Sequence, residues 1–170
     1  MKISRFLIAG LLSASALVGT TACRSSTSGA SGSRHELYES VEELVAASAF
    51  VVTGTVTGQI ETGDTTNSTF SVTGSYAPAG LKTPDVPLDD TIIVRQMGTS
   101  GDALPYPLMT PGQDYLLFLV PTELPGDAGD DYYVVGGSAG IYEVDGEAFV
   151  HVPSDEGDML PEKLTPDDLT

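Results

Sequence analysis

The sequence predicts a mainly β protein, a small barrel or sandwich of about seven strands preceded by one short helix. Beyond residue 49, apolar residues alternate with polar ones in several runs, and this period of two is typical of strands with one buried face. The runs are separated by turns rich in glycine and proline, which favours an all-β fold over a helical one. Once a leader and a tether are set aside, about 120 residues remain, enough for one compact domain.

A short helix opens the folded body. Ser40 and Glu43 have the spacing of a capping box, in which the serine hydroxyl accepts a hydrogen bond from the Glu43 amide and the carboxylate reaches back. The apolar residues that follow share one helical face, and the helix is predicted to end at Ser48. The pattern then changes to a period of two, so the first strand begins at Phe50.

The strands differ in how they should be placed. The first contains Gly54 and Gly58, which permit the bulges that a closed barrel needs. Residues 114–120 (DYLLFLV) are apolar on both faces, so this strand belongs in the middle of the sheet. Asp145 and Gly146 are predicted to form the two-residue turn of a hairpin. The predicted strands cover residues 50–60, 70–76, 91–97, 114–120, 131–135, 141–144 and 147–152.

The acidic C-terminal segment, residues 154–170, is expected to be loosely ordered. Thr165 and Pro166, followed by two aspartates, have the N-cap, the first-position proline and the first-turn acids of a helix start. The chain stops one residue after Leu169, and a helix that short is marginal. The folded domain is therefore assigned to residues 35–153.

The first 22 residues read as a signal peptide. Lys2 and Arg5 precede an uncharged apolar stretch that ends at Gly19, shorter than the ~20 apolar residues of a membrane-spanning helix. The only cysteine of the chain, Cys23, follows small residues at its end. This arrangement resembles the bacterial lipoprotein leader, which implies that the Cys23 thiol receives a diacylglyceryl group and becomes residue one. Residue Thr20 departs from the pattern, which usually has a leucine-like aliphatic there.

Two other interpretations of the leader remain open. Cleavage by an ordinary secretion signal would leave a free Cys23, and an uncleaved leader would stay as an anchor. Residues 24–34 are mostly Ser, Gly, Thr and Ala and read as a flexible tether. Without the leader, five basic and 24 acidic residues remain, a formal charge of −19. Such a surface repels nucleic acid and would suit cationic partners, although acidity that serves only to solvate an exported protein is the preferred interpretation.

The order of segments from Ser40 to about Val144 resembles a group of small secreted bacterial proteins, common in actinobacteria. Their body is similar to the OB-like barrel of the netrin and tissue-inhibitor-of-metalloproteinase modules. The resemblance rests on residues 52–56 (VTGTV) and on residues 111–118 (PGQDYLLF). It implies an OB-like, closed or partly closed antiparallel barrel of about six to seven strands. The eukaryotic inhibitors chelate zinc through a free N-terminal cysteine fixed by disulfides, so their mechanism does not carry over to an acylated Cys23.

Residues 136–140 (GGSAG) match the G-x-S-x-G pattern of a nucleophile elbow around Ser138. In hydrolases this serine sits on a strand-to-helix turn, whereas here Ile141 begins another strand. The only downstream histidine is His151. The pattern is therefore interpreted as a glycine-rich bend between strands, with a small serine hydrolase as the alternative.

No metal or other cofactor is expected. With Cys23 lipidated, His35 and His151 are too few for a zinc site; His35 should be solvated, and His151 should lie on the exposed face of the last strand. The acidic clusters at residues 127–131 and 155–158 lack the spacing of a known calcium loop, so a calcium site would need both to converge.

The strand tyrosines are expected to cap a core with their hydroxyls in water, with an aromatic ligand platform as the alternative. These tyrosines are Tyr106, Tyr115, Tyr132, Tyr133 and Tyr142.

Taken together, the sequence predicts a monomeric, non-enzymatic, lipid-anchored protein on the extracytoplasmic face of the cell membrane, which binds a protein or envelope component. The alternatives are a hydrolase using Ser138 and a calcium-binding envelope or adhesion module.

Overall fold

The computed structural model describes residues 37–81, 90–104, 106–152 and 158–170. In these residues the chain is mainly β, with a closed five-stranded barrel, three outer strands and one short helix. The elements are α1 (Val41–Ala47), β1 (Phe50–Thr62), β2 (Thr65–Tyr76), β3 (Thr91–Met97), β4 (Asp114–Pro121), β5 (Tyr132–Val134), β6 (Ile141–Asp145), β7 (Ala148–His151), β8 (Lys163–Leu164), and two 3-10 helices, Gly126–Asp130 and Pro166–Leu169.

The barrel closes because β1 has a strand on each side. It pairs with β2 along its length and with β4 through residues 50–55, so the order β1-β2-β3-β5-β4 returns to β1. A closed ring with an odd number of strands cannot alternate in direction at every step. The β3–β5 pair is accordingly parallel, with Val94 opposite Tyr132, and the expectation of a wholly antiparallel barrel is wrong at this pair.

The bulge predicted for β1 is confirmed at Thr57, and a second bulge, opposite Gly54, has its extra residue Thr73 in β2. The β1–β2 register shifts between Thr53 and Gly54 and again between Val56 and Gly58. Each shift adds one unpaired residue to one strand, which bends the strand and increases its twist. Both long strands can therefore curve around the barrel.

The two faces of β4 belong to two different cores. Tyr115, Leu117 and Leu119 point into the barrel, whereas Leu116 and Phe118 pack in a second cluster with α1 and the outer strands. All five side chains are buried. The prediction that an all-apolar strand lies in the middle of the sheet is confirmed, because β4 pairs with β1, β5 and β6.

The C-terminal segment differs from the expected loose tail over residues 158–170. Its β8 extends the outer sheet, with Leu164 opposite Phe149 of β7. Leu164 and Leu169 are 2% and 1% exposed and lie in the second cluster. The helix start predicted at Thr165 is present as a capped 3-10 helix. Two buried leucines supply the apolar contact that a solvated tail would lack.

Two local contacts shift by one residue from their predicted positions. The Ser40 hydroxyl accepts from the Glu43 amide at 3.2 Å as predicted, but the Glu43 carboxylate accepts from the amide of Glu39, at 2.9 Å. In the β6–β7 hairpin, Asp145 pairs with Ala148, so the two-residue loop begins at Gly146, whose φ is 64°. Glycine at the first loop position suits the primed turns of tight hairpins.

A buried glutamine fastens the crossover between β3 and β4 to the barrel. Gln96 is 4% exposed; its side-chain oxygen accepts from the Met109 amide at 2.9 Å, and its nitrogen donates to the Pro107 carbonyl at 3.4 Å. Nearby, Gln59 donates to the Ser68 hydroxyl and to the Met109 carbonyl. Hydrogen bonds therefore add to the apolar packing of the buried Met109 side chain in holding this segment across the barrel end.

We expect Gln96→Leu to lower the free energy of unfolding by about 1–3 kcal/mol, because it leaves the buried Met109 amide without its acceptor. Urea denaturation followed by circular dichroism measures the loss. Gln113→Leu is the matched control, since Gln113 is only half-buried. Equal effects of the two substitutions would contradict the fastening role of Gln96.

Candidate functional site

A groove of about 880 Å³ lies where the barrel meets the outer strands. Its floor is formed by Thr53, Gly54 and Thr55 of β1. The β6–β7 hairpin forms one wall, and the segment from β8 into the C-terminal 3-10 helix contributes Lys163 and Asp167. We call this surface the acidic groove, because carboxylates outnumber its one lysine.

Four carboxylates line the acidic groove, and each comes from a different place in the fold. Asp114 is the first residue of β4, Asp145 is the last residue of β6, Glu147 lies in the hairpin loop, and Asp167 lies in the C-terminal 3-10 helix. All four side chains are exposed. Lys163 is the only cation among the described lining residues, so the lining has a formal charge of −3.

The groove also presents hydroxyl groups and an aromatic ring. The Thr55 hydroxyl donates to the Asp114 carboxylate, which orients that carboxylate on the floor. The half-buried ring of Tyr76 lies edge-to-face with buried Phe149, with ring centroids 5.9 Å apart. Burial raises the pKa of the Tyr76 hydroxyl, so this group stays neutral at physiological pH. Carboxylates beside an aromatic face can bind an organic cation.

Ser138 lies in the turn before β6 and is fully buried. The segment after it is a strand, so the strand-to-helix turn of a nucleophile elbow is absent from this part of the described chain. A side chain with no exposed surface cannot meet a substrate in this conformation. The geometry favours the glycine-rich bend over the hydrolase.

His151 is half-buried, and its expected position on the exposed face of the last strand is wrong. Its ring lies 4.8 Å from the ring of Tyr142, and its Nε2 is 3.2 Å from the Ala139 carbonyl oxygen. The adjacent residue Val150 is the one that faces solvent. The reason is that the face of β7 that carries His151 packs on the second cluster, where the imidazole contacts the buried ring of Tyr142.

The tyrosines do not all hold their hydroxyls in water. Tyr142 is 0% exposed, and burial, aided by the negative charge of Asp158, raises the pKa of its hydroxyl. Tyr115 is 2% exposed, and its hydroxyl accepts from the Thr110 amide at 3.0 Å. These two tyrosines belong to the cores and cannot form a ligand platform.

The acidic clusters are used in structural contacts. Asp131 forms an ion pair with Arg95 at 3.0 Å, and Asp158 accepts from the Tyr38 amide at 2.9 Å. Residues 155–157 lie outside the described ranges, as does Cys23. Within those ranges, no three histidine, cysteine, aspartate or glutamate side chains come together as a group that could hold a metal ion.

Sequence reasoning missed the acidic groove, because its residues are spread from Thr53 to Asp167. The sequence features related to this groove were the overall acidity of the chain and the predicted hairpin turn.

No family model matches this chain, and no curated protein is significantly similar to it in sequence. Across the described ranges, no helix combines the length and the apolar character needed to cross a bilayer.

Proposed function

We propose that this protein is a non-enzymatic binding protein, held by a lipid on Cys23 at the extracytoplasmic face of the cell membrane, with the acidic groove as its binding site. The observation that carries the proposal is the leader: a basic start, an apolar run too short to span a bilayer, and the only cysteine of the chain at its end. A lone cysteine at that position has its chemistry explained by acylation, since no second cysteine exists for a disulfide.

The barrel supports a binding role of the OB-like kind. The strand order β1-β2-β3-β5-β4, closed by β1, and the bulged first strand are features of small five-stranded barrels that bind ligands at their surfaces. The short helix α1 packs on the outside of this barrel, where Leu44 and Val45 are buried. We propose that the body is an OB-like barrel related to the netrin-type modules, and that its surface binds a protein or envelope component.

The lipid anchor is tested by substituting its attachment atom. We expect the wild-type protein to enter the detergent phase in phase partitioning, and Cys23→Ala to stay in the aqueous phase, because a single thiol carries the acyl chains. Mass spectrometry of the N-terminal peptide should show a modified Cys23. Ser25→Ala is the matched control and should partition like the wild type. An aqueous wild-type protein with an unmodified thiol would refute the anchor.

A further inference from the structure

We infer that a second cavity, at the ends of β3 and β5, binds a small uncharged aromatic compound that carries a carbonyl group. The cavity has a volume of about 290 Å³ and is lined by residues 95–97 of β3, by Tyr106 of the crossover, and by Tyr133, Val134 and Gly137. We call it the tyrosine cavity. It shares no lining residue with the acidic groove, so the inference adds a second site and does not depend on the lipid anchor.

The cavity is present because β3 and β5 separate soon after they pair. The two strands run parallel and are paired at two positions, the second being Arg95 opposite Tyr133. Beyond it β3 continues to Met97, whereas the chain after β5 turns toward β4, where the Val135 amide donates to the Phe118 carbonyl at 2.9 Å. The strand ends therefore leave an opening between them, which the crossover borders on one side.

Two tyrosines line this opening and are both held in position. Tyr106 and Tyr133 are half-buried. The Tyr106 hydroxyl donates to the Met97 carbonyl at 3.2 Å, and Tyr133 lies in β5 between β3 and β4. The Met97 side chain is 43% exposed, and a thioether makes favourable contacts with aromatic rings. An aromatic ligand can therefore pack against two fixed rings and a sulfur atom.

The charges around the tyrosine cavity favour an uncharged ligand. Acids outnumber bases by 24 to 7 in the chain, yet the described lining residues include no carboxylate. The one charged lining residue is Arg95, and its Nη1 pairs with the Asp131 carboxylate at 3.0 Å. A cation would meet this guanidinium, and an anion would meet the carboxylate that already neutralises it.

The same arginine favours a carbonyl group on the ligand. Arg95 Nε is buried and has no hydrogen-bond partner within the described chain. A buried donor without an acceptor costs free energy, so a carbonyl oxygen at this end of the cavity would stabilise it. The volume of about 290 Å³ lies at the low end for ligand pockets, which suits a compound of one or two rings better than a peptide segment.

The experiment titrates N-acetyltryptophanamide, an uncharged indole with two carbonyl groups, with the full-length protein in a neutral detergent, against a detergent blank. The chain contains no tryptophan, so indole fluorescence reports the ligand alone. We expect saturable binding with a Kd of about 1 mM or below, unchanged by added salt. Tyr106→Ala should weaken binding about fivefold, whereas Tyr106→Phe keeps the ring and should bind within about twofold of the wild type.

A pair of methionine variants keeps the test valid if Tyr106→Ala fails to fold. Met97→Ala removes a lining side chain and should weaken binding about threefold. Met159→Ala is the matched control, since Met159 is 67% exposed and lies outside the cavity, and it should bind like the wild type. Urea unfolding of each variant verifies that it is folded. The compound 3-methylindole has the same ring without a carbonyl and should bind more weakly.

Four outcomes would overturn the inference. They are no saturable binding of N-acetyltryptophanamide, wild-type affinity in folded Tyr106→Ala or Met97→Ala, an equal loss in Met159→Ala, and equal affinity for 3-methylindole. Mass spectrometry of Cys23 on the same sample reads the lipid anchor separately. A lipidated protein that fails to bind the indole thus refutes the tyrosine cavity as a ligand site and leaves the anchor standing.

Discussion

Gly54→Ala is expected to lower the free energy of unfolding by about 1–3 kcal/mol, the usual cost of forcing an extra carbon into a packed site. The loss should lie at the upper end of this range. A Cβ at this position would lie 2.1 Å from the backbone carbonyl oxygen of Ser71 and 2.7 Å from a ring carbon of Phe70. The carbonyl belongs to the partner strand, so relief requires the β1–β2 pair to separate at its bulge. Urea unfolding followed by circular dichroism measures the change.

Gly58→Ala is the matched control, because it makes the same change in the same strand. A Cβ at Gly58 would have no atom within 4 Å, so this substitution should be neutral or slightly stabilising through the reduced entropy of the unfolded chain. A similar loss in both variants would show that the cost comes from the strand in general. The close approach of β1 and β2 at Gly54 would then not be the cause.

Leu169→Ala is expected to cost about 2–5 kcal/mol, as for other leucines removed from a packed core. Leu169 is 1% exposed and lies in the second cluster with Tyr142, Phe149 and Leu164. The loss would detach the C-terminal 3-10 helix, which forms one side of the acidic groove. The free energy of unfolding is measured as for Gly54→Ala.

The control for Leu169 is Leu37→Ala, in which the replaced leucine is 55% exposed. Its effect should stay within about 0.5 kcal/mol, as is usual for surface substitutions. If Leu169→Ala cost no more than this, the C-terminal segment would not be packed. The original expectation of a loosely ordered tail would then stand.

The strands could be predicted because their signals are local. Alternation of side chains between two faces marks each strand, and β3 and the start of β4 fall where the pattern places them. The tail could not be predicted in the same way. Two leucines four to five residues from the nearest other apolar position have no period, so their burial depends on the surface that β7 offers.

The sequence by itself determined the β class, the central place of β4 and the glycines at the bulges, because each depends on neighbours along the chain. The lipid on Cys23 stays a prediction. The tertiary structure decided the rest. It alone set the parallel β3–β5 pair, because an odd ring must contain one, and it alone buried Ser138 and His151 to different degrees. It also brought Asp114, Asp145, Glu147 and Asp167 to one groove, since carboxylates far apart in the chain meet only when the strands that carry them pair.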